Sequence, residues 1–330
     1  GIGIAPLREA IAAHRLRHFG VEYDPDREVL VTVGATEAIA AAVLGLVEPG
    51  AEVLLIEPYY DSYAPVIAMA GGHRRAVPLV SDGRGFVLDT DALRRAVTPK
   101  TAALIVNSPH NPTGTVLSDA ELAAIAEIAV EGDLLVITDE VYEHLVFDGD
   151  RHLPLATYPG MADRTVTISS AAKMFNCTGW KIGWACGNAE LIAGVRAAKQ
   201  FLSYVGGAPF QPAVALALNT EEDWVSALRE SLQRKRDRLA DGLTRCGFEV
   251  HHSGGTYFLC ADPRPLGYAD STTFCAELPE KAGVAAIPMS AFREPGSDQA
   301  VMWNHLVRFA FCKREPVLDE ALRRLQALGR

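Results

Sequence analysis

The sequence predicts an α/β fold with a mostly parallel sheet covered by helices, followed by a smaller α+β unit. Three observations predict it. Short apolar runs alternate with helix-patterned stretches through the first 188 residues or so. Several of those runs are apolar at every position, the pattern of strands covered on both faces. Beyond them the texture changes to long helices and then short strands. Alternation of the first kind builds a parallel sheet between helical layers.

The strand candidates are residues 28–33, 53–56, 76–80, 102–106, 134–138 and 165–169. Helical patterns fill 6–19, 36–47, 58–70 and 118–131. The last opens with Ser118 and Glu121, the capping-box spacing that satisfies the first free N–H groups. Gly1 and Gly3 look like half of a dinucleotide fingerprint, but no strand precedes them and Pro6 takes the third glycine position, so a turn into the first helix is expected. A helix over 188–218 is interrupted at Gly206, Gly207 and Pro209, and a charged amphipathic helix covers 221–245. Strands at 248–251, 256–260, 284–287 and 306–311 and a helix at 316–328 complete the chain. The boundary is placed near Thr220, giving a large domain at 1–220 and a small one at 221–330.

With 330 residues, 49% hydrophobic and 22% charged, the composition is globular and excludes disorder, collagen and coiled coil. A net charge of −10 opposes attraction to nucleic acid or anionic lipid, so neither is expected as a partner. The apolar run 38–47 falls well short of the roughly 18 residues a bilayer requires. No basic-then-apolar signal segment opens the chain. The six cysteines are scattered without a C-x-x-C, which fits free thiols in a reducing cytoplasm and predicts neither disulfide nor metal site.

Several motifs sit where chemistry could. Gly34, Ala35, Thr36 and Glu37 follow a strand and open a helix, either as an ordinary turn or as an anion site at a helix N-terminus. Asn111, between Pro109, Pro112 and Gly114, lies past the carboxyl end of a buried strand, where open α/β sheets bind ligands. Asp139 ends the next strand, and a carboxylate there is either a helix cap or a buried charge that needs a partner. Lys173 follows the strand at 165–169, as a solvated surface lysine or as a desolvated nucleophile for carbonyls. Ser170 and Lys173 also fit the S-x-x-K of serine acyltransferases, but no S-D-N or K-T-G follows. There is no G-x-S-x-G and no H-E-x-x-H. His144 lacks a histidine partner at helical spacing and is expected to be exposed.

The order of these motifs is more specific than any one of them. Gly34–Glu37, Pro58–Tyr60, Asn111–Gly114, Asp139–Tyr142, Ser170–Lys173, Gly179–Lys181 and the strand bearing Arg308 together resemble the fold type I, aspartate-aminotransferase-like enzymes that use pyridoxal phosphate. The resemblance spans essentially the whole chain. It implies that Lys173 forms the Schiff base with the cofactor aldehyde and moves the proton. It implies that Asp139 pairs with the pyridine nitrogen, and that Tyr142 and Asn111 bond the ring's phenolic oxygen. Tyr60 would stack on the ring, Ala35, Thr36, Ser170 and Lys181 would hold the phosphate, and Arg308 would grip the substrate carboxylate. Lys181 stands where most of the family has arginine, so a point charge replaces a bidentate fork.

The resemblance also implies several dozen residues ahead of Gly1, with an arm bordering the substrate pocket and a tyrosine reaching the partner's cofactor, and hence a homodimer. Stretches 173–184, 203–212 and 285–292 look most like bacterial succinyldiaminopimelate aminotransferases, which implies N-succinyl-LL-2,6-diaminopimelate and 2-oxoglutarate as substrates in lysine biosynthesis. The kynurenine and glutamine transaminases are close behind. A C–S lyase on the same residues and a non-catalytic regulatory module are the alternatives.

Overall fold

The computed structural model of the chain describes residues 1–296 and 298–328. Its larger sheet has eight strands: β1 (Val29–Val33), β2 (Glu52–Glu57), β3 (His73–Ser81), β4 (Phe86–Leu88), β5 (Thr101–Asn107), β6 (Leu135–Asp139), β7 (Thr165–Ser170) and β8 (Ile182–Cys186). They lie in the order β1-β8-β7-β6-β5-β2-β3-β4. β7, β6, β5, β2 and β3 run parallel, while β1, β8 and β4 pair antiparallel with their neighbours.

Helices α1 (Ala5–Phe19), α2 (Gly34–Leu46), α3 (Tyr63–Met69), α4 (Thr90–Ala96), α5 (Asp119–Glu131), α6 (Ala171–Met174), α7 (Ala189–Leu202) and α8 (Gln211–Thr220) connect and cover these strands. The capping box at Ser118 and Glu121 is formed. A second sheet, ordered β11-β12-β10-β9, is antiparallel throughout. Its strands are β9 (Glu249–Val250), β10 (Phe258–Asp262), β11 (Ile287–Pro288) and β12 (Val307–Ala310), with helices α9 (Glu222–Arg245), α10 (Ser271–Ala282) and α11 (Glu315–Leu325) around it.

The expected α/β class is the observed one. The wholly apolar runs are explained by β5, where Leu104 and Val106 enter one core and Ala103 and Ile105 the opposite one. Successive strand side chains point to opposite faces, so a strand buried on both sides has no solvent face that calls for polar residues. Some elements differ from expectation. The helix expected from 58 begins only at Tyr63, because residues 58–62 are held by the far end of the chain: the Tyr59 amide donates to the Phe292 carbonyl at 2.9 Å. The interruption expected in the helix over 188–218 is present and parts α7 from α8. β4, β8, α4 and α10 were not foreseen; β8 follows a motif rich in glycine and tryptophan that gives no alternation to read.

Two features place the site. β5, β6 and β7 are in parallel register, with Asn107 opposite Asp139 and Asp139 opposite Ile168, so their carboxyl ends share one edge. The first turn of α2 also presses against β8: a Cβ on Gly183 would lie 2.4 Å from the Gly34 carbonyl carbon and 2.6 Å from the Ala35 nitrogen.

Beneath that edge, the fully buried Arg15 of α1 bonds Glu140 at 3.0 Å and also Glu143. Ser169 donates to Glu143 at 2.8 Å. Burial opposes ionisation of Glu140, but Arg15 and His152 hold it down at about 2. Arg15→Met would leave two buried carboxylates without their cation. It is expected to cost on the order of 3–5 kcal/mol, read as a lower urea midpoint.

Candidate functional site

The carboxyl ends of β5, β6 and β7, the first turn of α2 and the short helix α6 surround a cavity. Its walls include Ala35, Thr36, Tyr60, Asn111, Asp139, Tyr142, Ser170, Lys173 and Lys181. The chain positions assigned to the cofactor by resemblance are thus gathered in one place, although they are spread over nearly 150 residues.

At one end lies the N-terminus of α2, a 13-residue helix. Gly34 adopts φ +72°, and a Cβ there would approach Lys181 Cδ at 3.6 Å. Lys181 itself is left-handed, at φ 53°. Free amide groups, the hydroxyls of Thr36 and Ser170 and one ammonium therefore converge on this end, which suits a phosphate.

At the other end lies Asp139, 5% exposed. Its Oδ2 accepts from the Tyr63 hydroxyl at 2.7 Å and its Oδ1 from the Val141 amide at 3.4 Å. Burial pushes its carboxyl above the usual range, against those two bonds and the charge of Lys173. Asn107 donates to the Asp139 carbonyl at 2.7 Å and accepts from the Asn111 amide at 2.7 Å, tying two walls together. Gly114, at φ +77°, lets this loop pack closely, since a Cβ there would lie 2.2 Å from Ser253 Oγ.

Between the two ends stands Lys173, half-buried, with its Nζ 5.9 Å from the Tyr142 ring centre and 5.6 Å from that of Tyr257. Burial first, then Tyr257, holds the Tyr142 phenol well above its ordinary range.

Arg308, on β12, lies outside the cavity's lining but beside it. Its Nη1 donates to Asn111 Oδ1 at 2.8 Å, and its guanidinium is sandwiched between the rings of Phe258 at 4.0 Å and Phe292 at 4.5 Å. No carboxylate among the described residues pairs with it within 4 Å, and burial lowers its affinity for its proton. A desolvated guanidinium without a counterion is a receptor for a carboxylate.

Tyr63 and Tyr257 were not picked out from the sequence. Tyr63 sits three residues beyond Tyr60 in an aromatic run, which was a usable signal; Tyr257 gave none. His144 corrects an expectation. It is half-buried rather than exposed, with its Nε2 2.8 Å from Nε2 of His14.

An amine near a buried carboxylate, an anion cradle opposite and a free arginine alongside define an enzyme that works on amino acids through pyridoxal phosphate. The cradle and the donors fit that cofactor. The chain belongs to the aminotransferase class I and II family, whose model matches residues 1–325, and it is a pyridoxal-phosphate-dependent aminotransferase. It is 78% identical over 333 residues to a protein of Mycobacterium tuberculosis named probable N-succinyldiaminopimelate aminotransferase, covering 100% of this chain and 84% of that protein. The solved structure of N-succinyldiaminopimelate aminotransferase from M. tuberculosis superposes with a TM-score of 0.97 at 78% identity, over 99% of this chain and 84% of that one. A methionine aminotransferase of Escherichia coli is 37% identical over 327 residues, 99% of this chain and 83% of that protein. No helix among the described residues is long and apolar enough to cross a membrane.

Proposed function

We propose that this enzyme transfers an amino group between N-succinyl-LL-2,6-diaminopimelate and 2-oxoglutarate, a step toward lysine. The observation that carries the substrate is the 78% identity to the M. tuberculosis relative along the whole chain. Pyridoxal phosphate supplies an aldehyde that condenses with amines and a ring that stores the electrons left when the substrate carbon loses its proton.

The protein's own work divides as follows. Ala35, Thr36, Ser170 and Lys181 hold the phosphate, and Tyr60 covers the ring. Asn111 and Tyr142 bond the phenolic oxygen. Asp139 keeps a proton on the ring nitrogen, and Tyr63 holds Asp139. Lys173 carries the aldehyde between turnovers and moves the proton at the substrate carbon. Arg308 fixes the substrate's α-carboxylate. The Arg308 bond already made to Asn111 pre-orients its fork, so little rotamer freedom is lost on binding.

Steady-state kinetics on the cofactor-loaded enzyme test both parts. The succinylated substrate is expected to give the highest kcat/KM among itself, kynurenine, glutamine and methionine, because a site that pairs a distal anion rejects substrates lacking it. A higher value for methionine or kynurenine would refute the substrate while leaving the class intact. Arg308→Ala is expected to cost about 2–5 kcal/mol of transition-state binding, or roughly 30-fold or more in kcat/KM. An unchanged kcat/KM would remove Arg308 from its role.

The working unit is proposed to be a homodimer with two-fold symmetry. Phe201 is 88% exposed, Tyr204 55% and Val205 52%. Phe210 stacks on Trp180 with ring centres 4.9 Å apart, next to Lys181 at the cavity. Large apolar side chains exposed in this number are the kind an interface covers. Sedimentation at micromolar concentration is expected to give a dimer; a fully active monomer would overturn this.

A further inference from the structure

Helix α1 carries His14 and His18 one turn apart, and imidazoles at i and i+4 on one helix face can share a metal ion. The fold adds a third, His144, from the segment after β6. Its Nε2 lies 2.8 Å from that of His14 although the two are 130 residues apart in the chain. Ring centres are 4.6 Å apart for His14–His18, 4.9 Å for His14–His144 and 5.1 Å for His18–His144. All three line a second cavity, with Glu221, Glu222 and Arg229 among its other walls. The His18 side chain is 28% exposed, so the cluster is reached from solvent at His18.

The transamination chemistry uses none of these rings. Burial, followed by mutual repulsion, lowers the proton affinity of His14 well below normal and that of His144 to about 3; burial and Arg17 lower that of His18. At neutral pH they are uncharged, and the Nε2 contact of His14 with His144 holds one proton, which an entering ion would displace to an Nδ1. The buried Nδ1 of His14 has no hydrogen-bond partner.

The donor atoms that already converge are those of His14, Glu143 and His144, but Arg15 and Ser169 occupy the Glu143 oxygens, so the third free donor has to come from His18 by rotation of its ring. The surrounding charges leave room for a cation. Glu140, Glu143, Glu221 and Glu222 face Arg15, Arg17 and Arg229, and two of those guanidiniums are already ion-paired: Arg15 with Glu140 and Glu143, and Arg17 with Glu222. That leaves one negative charge unbalanced.

We propose that His14, His18 and His144 form a site for one borderline divalent cation of the Zn²⁺ type, distinct from the cofactor cavity. Zinc–nitrogen bonds of about 2.0–2.1 Å in a tetrahedron need nitrogens about 3.3 Å apart, so the His14 and His144 rings must part by about half an ångström. His18 turns to supply the third nitrogen, and water or Glu222, whose Oε1 is 3.4 Å from His18 Nε2, completes the sphere. The ion would staple α1 to the segment that follows Asp139.

The test is a titration of chelator-treated, cofactor-loaded enzyme with ZnCl₂ by calorimetry, with Co²⁺ as a spectroscopic probe. One equivalent per chain, a tetrahedral cobalt spectrum and a raised melting temperature are expected. His18→Ala and His144→Gln should each weaken binding by more than about tenfold, the loss that removal of even a ligand's hydrogen-bond partner causes. Both should keep the bound-cofactor absorbance and transaminase rate, which also reports that they fold. No uptake at micromolar Zn²⁺, or binding unchanged in both variants, would show that the site does not exist.

Discussion

Lys173→Ala is expected to reduce transamination by about 10⁴-fold or more, because the same side chain is proposed to carry the cofactor and to move the proton. The fold should survive: Lys173 is half-buried, and its contacts are the faces of Tyr142 and Tyr257 rather than a buried ion pair. The decisive readout is chemical. Borohydride treatment of the loaded parent enzyme should attach the cofactor to the peptide containing Lys173 and to no other. Lys181 and Lys199 are the rival lysines, and the structure gives each another task. Lys199 spends its ammonium on the carbonyls of Gly1 at 3.2 Å and Tyr204 at 2.8 Å. Lys181 lies over the start of α2, at the anion end of the cavity. Label on either would overturn the assignment.

Asp139→Asn should show the second largest effect. A neutral amide cannot hold a proton on the ring nitrogen by charge. Breaking a buried charge pair costs about 3–5 kcal/mol, which at about 1.36 kcal/mol per tenfold is two to nearly four orders of magnitude in rate. Cofactor should still bind through its phosphate, so the loss is expected in kcat.

The pH dependence gives an independent check. Burial raises the Asp139 carboxyl above its ordinary value in the cofactor-free chain. The fold therefore favours the protonated form. Its contribution to stability is present at low pH and is lost as pH rises through the raised value. At neutral pH the ionised side chain is a net cost, so cofactor-free Asp139→Asn should melt no lower than the parent. A large drop in melting temperature would mean that Asp139 is structural. The proposed balance is a carboxylate kept at some cost to the empty fold and compensated by the cofactor's ring.

The fold class was legible in the sequence for a local reason. Strands buried on both faces are apolar almost throughout, as residues 102–106 are at every position and 134–138 are up to Thr138. The start of α5 was legible because Ser118 and Glu121 form a capping box, whereas the single caps Asp89 of α4 and Asp270 of α10 did not betray those helices. Strand β8 was not, since Ile182–Cys186 follows a tight turn and its pairing with both β1 and β7 depends on where those strands lie. The candidate cofactor positions were legible because the turns bearing them need glycine, proline and asparagine in a set order.

What the sequence by itself determined, then, is which residues stand at the ends of the central strands. Each is set by its immediate neighbours. Only the tertiary structure decided what those residues face. Arg308 meets Asn111 across 197 positions, Tyr63 meets Asp139 across 76, and His14 meets His144 across 130. Such pairs arise from the order in which strands assemble and the way α1 and the second sheet dock. Hydrophobic periodicity and turn chemistry act over a few residues and carry no record of that order. The same limit explains why the cysteine spacing and the lack of H-E-x-x-H pointed to no metal, while three histidines from two distant segments converge in the folded chain.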